Sequence, residues 1–189
     1  ASTRKVPLPE AKDATGARCA DLVEAGDTVF LDESTTCLAV ARHLLHCDIT
    51  VVTNSLDIAQ LFAEHGQGKL LLSGGELDPK NRCFVGGSAE ESLSRYYMDK
   101  SFVSCRGADP AAGITDGSAV NGRVRALMLR RAKRRYLVLD HTKLNKTNFF
   151  RICDFEELDG VLVDAFPDAS WRDFLRQRNI QAIEALERQ

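Results

Sequence analysis

The sequence predicts an α/β fold of three layers, a mostly parallel sheet flanked by helices. Short apolar runs rich in β-branched residues alternate with segments whose apolar residues recur at helical spacing. The connections between them are only a few residues long, as in βαβ crossovers. With 189 residues, 44% of them hydrophobic, the chain can build one domain around a sizeable core.

Each element has its own warrant. Lys12 to Ala25 reads as a first helix, approached through Pro7 and Pro9. Thr28 to Leu31 is a buried strand, followed by a helix from Cys37 to Leu45 with Leu38, Ala41 and Leu45 on one face. Ile49 to Thr53 is a second strand and Ser55 to His65 a second amphipathic helix; Lys69 to Ser73 is a third strand. Periodicity stops between Gly74 and Gly87, where Pro79, Asn81 and the glycines mark a loop. Ser88-Ala89-Glu90-Glu91 has the form of a capping box opening a helix to about Tyr97. Ser101 to Ser104, Tyr136 to Asp140 and Val161 to Asp164 read as strands. Val120 to Ala132 is a helix with Val124, Leu127, Met128 and Ala132 on one face. Ser170 to Asp173 caps a last helix, and Gln181 to Ile183 forms a final edge strand.

Charge narrows the function classes. Lysine and arginine number 25 and aspartate and glutamate 27, a net charge of −2, which argues against a chain that coats nucleic acid. The longest uninterrupted aliphatic run, Leu70-Leu71-Leu72, is far short of the roughly 20 residues that span a bilayer. The six cysteines show no C-x-x-C spacing and are expected to be free, mostly buried thiols of a reduced, cytoplasmic protein. Neither a G-x-G-x-x-G nor a Walker A sequence is present, so no nucleotide cofactor is expected. His43, His46 and Cys47 have metal-like spacing but lack a further ligand, so no metal is expected. The run Arg123 to Arg135 carries seven cations and no acid; a solvated helix face is the favoured reading, contact with DNA phosphates the other.

Ligands of open parallel sheets bind beyond the carboxyl ends of the strands. Polar residues follow each predicted strand there. The most informative group is Asp32-Glu33-Ser34-Thr35-Thr36, which leads into a helix. Free N–H groups and the positive end of the helix dipole favour an anion, and three hydroxyls add donors. Taken alone, Ser34 or Thr35 is as readily a simple helix cap, and Glu33 opposes an anion unless it turns away or binds sugar hydroxyls. Asn54-Ser55 reads first as a cap and Gly74-Gly75 as turn chemistry, or as room for a ligand beside the backbone. Arg106 offers a planar fork for carboxylate or phosphate, or an ion pair with Asp99 or Asp109, and Lys143 can reach an anion in the same cleft.

These segments occur in a telling order: Asp-x-Ser-Thr-Thr at 32–36, Thr53-Asn54-Ser55, Gly74-Gly75-Glu76-Leu77, Val85-Gly86, Asp99-Lys100-Ser101-Phe102, Gly113-Ile114-Thr115 and Asp140-x-x-Lys143. The order resembles the C-terminal effector-sensing domain of DeoR-type bacterial transcriptional regulators, over roughly residues 10–185. The resemblance implies a fold similar to ribose-5-phosphate isomerase and a domain that binds a phosphorylated sugar or related metabolite rather than an enzyme. It implies Asp32, Glu33, Ser34, Thr35 and Thr36 as a phosphate cradle. Asn54, Ser55, Gly74 and Gly75 would line the pocket, and Lys143 would be an anion partner. Two departures stand out. Glu33-Ser34 replaces the family's Ser-Gly pair, and Cys105-Arg106-Gly107-Ala108-Asp109 replaces its usual Gly-Ala-Asp-Gly. The second places Arg106, Gly107 and Asp109 near the ligand, which can then carry a second acidic group. The expectation is a single sensor domain over 1–189, with 1–9 a linker remnant from an absent helix-turn-helix domain. DNA would be reached only through that domain, and the protein is expected to be a homo-oligomer. The alternative is a sugar-phosphate isomerase-like enzyme on the same fold.

Overall fold

A computed structural model describes residues 8–186. Seven strands form one sheet in which every neighbouring pair is parallel, in the order β12-β11-β9-β6-β1-β2-β3. These strands are β1 (Thr28–Leu31), β2 (Thr50–Thr53), β3 (Lys69–Leu72), β6 (Met98–Val103), β9 (Ala132–Leu139), β11 (Gly160–Val163) and β12 (Gln181–Glu184). The expected strands thus all form, and the last one is an edge strand as read from the sequence.

Alternation along each strand divides the core. Val29, Leu31, Val51, Phe102, Val138 and Leu162 face α1 (Leu8–Ala20), α2 (Thr35–Leu44) and α3 (Leu56–His65). Phe30, Val52, Val103, Leu137, Val161 and Val163 face α4 (Gly87–Ser94), α5 (Ala119–Arg130) and α6 (Ala169–Arg176). Helix α1 lies tightly on α2. A Cβ at Gly16 would come within 2.7 Å of the Ala39 carbonyl, so only glycine permits that approach.

Several local expectations are corrected. Helix α1 takes in Leu8 and Pro9, expected in the linker, because proline is tolerated in a first helical turn; residues 1–7 lie outside the described residues. The expected capping box at Ser88 and Glu91 does not form. Helix α4 starts earlier, at Gly87, and the preceding Gly86 carries a φ of 88° and no side chain to cap with. Asp168, not Ser170, caps α6, accepting the Ser170 N–H at 2.9 Å. The loop expected at 74–87 contains a hairpin of β4 (Glu76–Asp78) and β5 (Cys83–Val85). A further antiparallel sheet, β10-β8-β7, is built from β7 (Gly107–Asp109), β8 (Gly113–Asp116) and β10 (Phe150–Cys153). All six cysteines are free, five buried and Cys47 partly so.

Because the main strands are parallel, their carboxyl ends share one edge. Strand β1 has β2 on one side and β6 on the other, and the chain winds outward from it in both directions. The loops after β1 and β6 therefore part at this point, where such sheets open a crevice.

Candidate functional site

The crevice is present. A cleft of about 430 Å³ is lined by Glu33–Thr36 after β1, Ser104–Arg106 after β6, and Asp140 and Lys143 after β9. Lys12 of α1, Asp57 of α3, Lys80–Arg82 of the hairpin, Asp116, and Asn121 and Arg125 of α5 complete its wall. A larger hollow of about 550 Å³ sits on the other side of α5, beside α4 and β10. It lies away from the strand ends, and its Arg123 is already paired with Glu90 at 3.6 Å, so the smaller cleft is the candidate site.

The floor is a buried charge cluster centred on Arg125, whose side chain is 6% exposed. Its Nε donates to Asp32 Oδ2 and its Nη2 to Glu33 Oε1, each at 2.9 Å, and its Nη1 donates to Asp116 Oδ2. This corrects the reading of Arg123 to Arg135 as a solvated face: Arg125 points inward. Asp32 is fully buried and accepts two further bonds, from the Ser34 N–H at 2.9 Å and the Ser104 N–H at 2.6 Å. It therefore ties the loops after β1 and β6 to α5. Burial acts to raise the Asp32 pKa, but the Arg125 charge and the bonds from Ser34 and Ser104 hold it below the ordinary carboxylate value.

Glu33 is the opposite case. Its Oε2 is shut off from solvent and has no hydrogen-bond partner among the described residues. Burial, opposed by Arg125 and reinforced by Asp32, pushes its pKa up to about 7. Burial works against the Arg125 charge too, yet the surrounding carboxylates raise its pKa further, so the guanidinium stays ionised.

Above this floor α2 begins. Ser34 is its N-cap, with Oγ accepting the Cys37 N–H at 3.0 Å. The N–H groups of Thr35 and Thr36, in the first turn, have no intrahelical carbonyl to reach. Thr36 is buried; Thr35 is exposed and its Oγ1 accepts from Lys12 Nζ at 2.7 Å. Arg106 is exposed and Lys143 half-buried, and neither side chain has a carboxylate partner among the described residues. Across the cleft Arg82 is engaged by Asp57 at 2.7 Å.

Other residues singled out in the sequence lie off the cleft wall. Asn54 and Ser55 hold structure instead. Asn54 Nδ2 donates to the Phe84 carbonyl at 3.1 Å, and Ser55 caps α3 by accepting the Ile58 N–H at 3.1 Å. Gly74 and Gly75, with φ of 65° and 112°, turn the chain from β3 into the hairpin, where a Cβ at Gly75 would lie 2.7 Å from Ala89 Cβ. Gly107 lets β7 pass the 146 segment, since a Cβ there would be 2.3 Å from the Lys146 carbonyl. Asp109 closes the β7–β8 turn by accepting the Ala111 and Ala112 N–H groups. The ion pair considered for Arg106 is not made: Asp99 accepts instead from Thr28 and Lys133. Sequence reading missed Arg125, Asp116 and Lys12. Arg125 did leave a signal, because it sits three and four residues before Met128 and Leu129 on the buried side of α5.

Comparison with known proteins decides the family. Residues 8–165 match the model of the DeoR C-terminal sensor domain. The chain belongs to the DeoR C-terminal sensor domain family. Over 182 residues it is 33% identical to the HTH-type transcriptional repressor GlcR of Bacillus subtilis, covering 96% of this chain and 70% of GlcR. The L-fucose operon activator of Escherichia coli is 32% identical over 142 residues, 75% of this chain and 58% of that protein. Such relatives are regulators of transcription, so a regulatory role replaces the alternative of an isomerase-like enzyme. The fold resembles that of a D-ribose-5-phosphate isomerase solved with phospho-erythronic acid. Its TM-score is 0.55 at 16% identity, covering 74% of this chain and 55% of the isomerase. Among the described residues no helix is long and apolar enough to cross a membrane.

Proposed function

We propose that the DeoR sensor domain binds a phosphorylated sugar or related phosphorylated metabolite in this cleft, and that occupancy changes the DNA affinity of a longer cytoplasmic regulator. One observation carries the reading. Arg106 and Lys143 line the same cleft as the first turn of α2, and neither is neutralised by a carboxylate among the described residues. Cations without counter-charges beside free helix N–H groups attract a dianionic phosphate. The Thr35 and Thr36 hydroxyls supply further donors to its oxygens. Asp32 and Ser34 act one step back, by fixing the loop, and the Glu33 carboxylate, held by Arg125 and shut off from solvent, belongs to the floor beneath them. Relatives named for the lactose phosphotransferase system and for the glycerol-3-phosphate regulon support a carbohydrate-phosphate effector.

A thermal-shift panel of sugar phosphates, each beside its unphosphorylated parent, tests this. A ligand at 100 times its Kd adds about 2.7 kcal/mol, or roughly 5–10 °C at this size. Lys143→Ala and Arg106→Ala should each weaken the responding ligand by about 1.5–3 kcal/mol without lowering the unliganded Tm. A panel in which no phosphorylated compound outperforms its parent refutes the reading.

A further inference from the structure

We propose that the sensor domain takes up a proton together with its anionic effector, and that Glu33 is the site that receives it. The proposal rests on the phosphate-binding reading above and adds a second ligand to it. The cleft floor sets one guanidinium against three carboxylates, so with every group ionised the cluster carries a net charge of −2. The three acids are not equally provided for. Asp32 accepts from Ser34, Ser104 and Arg125, and Asp116 accepts from Arg125 and from the Ser118 N–H at 3.2 Å. Glu33 meets Arg125 through Oε1, but its buried Oε2 has no hydrogen-bond partner among the described residues. A negative charge on Glu33 is therefore the least compensated of the three, and a proton on Oε2 removes it.

The anion site lies next to this acid. Glu33 precedes Ser34, the N-cap of α2, and Thr35 and Thr36 of the first turn follow at once. Glu33 also lines the cleft, so water there can deliver the proton to Oε2, and no other bond changes. A dianion at the first turn of α2 adds negative charge beside an acid already opposed by Asp32 and Asp116, which favours the protonated form. Burial has brought the Glu33 carboxyl to about 7, so such a push changes its protonation at neutral pH. The other groups around it do not exchange this proton. Arg125 of α5 stays ionised, and burial keeps the thiols of Cys83 and Cys105 neutral. Asp32 is held below the ordinary carboxylate value. Lys12 of α1 contacts Thr35 rather than Glu33, and Lys80, Arg106 and Lys143 on the cleft wall attract the anion itself. Among the described residues no histidine lines the cleft, and His141, next to Asp140, is bound to Asp164. Glu33 is one of the two residues that replace the family's Ser-Gly pair, so the coupling belongs to this chain and not to the fold.

The test uses sulfate as probe on the 189-residue chain, because sulfate stays fully ionised across the pH range in which phosphate itself titrates. Calorimetry at constant ionic strength gives its affinity at pH 6, 7 and 8. Titrations at pH 7.5 in buffers of different ionisation enthalpy count the protons taken up per sulfate bound. A dianion that lifts the Glu33 carboxyl from about 7 to about 8 binds about fivefold more tightly at pH 6 than at pH 8, and takes up about half a proton at pH 7.5. In Glu33→Gln, whose amide oxygen can still accept from Arg125, affinity should be level across this range and the proton count near zero. Should that variant fail to fold, the proton count of wild type decides alone. Level sulfate affinity in wild type with no proton uptake overturns the proposal and leaves the anion cleft standing. The same pH dependence in Glu33→Gln overturns it too, by placing the proton elsewhere. If sulfate does not bind wild type at all, the anion cleft and the proton site fall together, since both require a dianion at the first turn of α2.

Discussion

Replacing Arg125 with methionine tests the reasoning about the cleft floor most directly. Methionine keeps an unbranched stem of similar reach and removes three donors from Asp32, Glu33 and Asp116, whose side chains are 0%, 7% and 5% exposed. Removing one partner of a buried ion pair costs about 3–5 kcal/mol, because the other charge is left without compensation. The three acids do not add in full. Asp32 keeps the Ser34 and Ser104 N–H groups, and Glu33, with a pKa of about 7, can take a proton. A loss of about 4 kcal/mol at pH 8 follows, or roughly 8–16 °C in Tm at this chain length. The sign with pH is set by the orphaned acids. Without the guanidinium their folded pKa values rise above the unfolded ones. The variant is therefore least impaired in acid, and its deficit grows as pH rises through those folded values. Urea unfolding of wild type and variant at pH 5.5 and pH 8 measures both quantities. Arg123→Met is the control: Arg123 is half-exposed, its Glu90 contact is 3.6 Å, and it should change stability by no more than about 0.5 kcal/mol. A deficit below about 1 kcal/mol at pH 8, or one equal at both pH values, would refute the argument.

Glu33→Gln isolates the raised carboxyl. Its contribution is fully present below the ordinary value of 4.5 and is lost as pH rises through about 7. The glutamine variant should therefore gain on wild type between pH 5 and 8 by roughly 2–3 kcal/mol in urea unfolding, and parallel curves would count against the assignment. Thiol titration checks the burial pattern. Burial raises the pKa of Cys19, Cys37 and Cys153 well above the ordinary value, and that of Cys83 and Cys105 to about 12, whereas Cys47 is only partly buried. One thiol should react quickly in the folded chain, none in Cys47→Ser, and all six after unfolding; a second fast thiol contradicts the packing.

The parallel sheet was legible because its strands announce themselves locally. Thr28–Leu31 is bounded in the sequence as in the structure, since four apolar or β-branched residues between Asp27 and Asp32 leave little choice. The hairpin and the β10-β8-β7 sheet were not legible. Their strands have three or four residues and little apolar alternation; β7 and β8 each open on a glycine, and β10 finds its partner β8 only far back along the chain. The cleft divides the same way. Glu33–Thr36, Arg106 and Lys143 follow strands and could be placed by the strand-end rule, and they do meet at one cleft. Arg125 could not be placed so, because its acids lie 93, 92 and 9 residues away and it stands in a run of other cations. Asn54, Ser55 and the Gly74-Gly75 pair mark bends that build the scaffold, and a bend and a ligand contact draw on the same residue types.

The sheet order also sets a timetable for synthesis. Strands β1, β2 and β3 neighbour each other in both sequence and space, so they can associate while the chain is still emerging from the ribosome. The outer side of β1 waits for β6, about 70 residues on, and Asp32 waits for Arg125, 93 residues on. Until then Asp32 and Glu33 stay hydrated at an open rim, where two acids side by side do little harm. The cleft is thus sealed late, after α5 has been made, and a chain truncated before α5 would have no floor to its cleft.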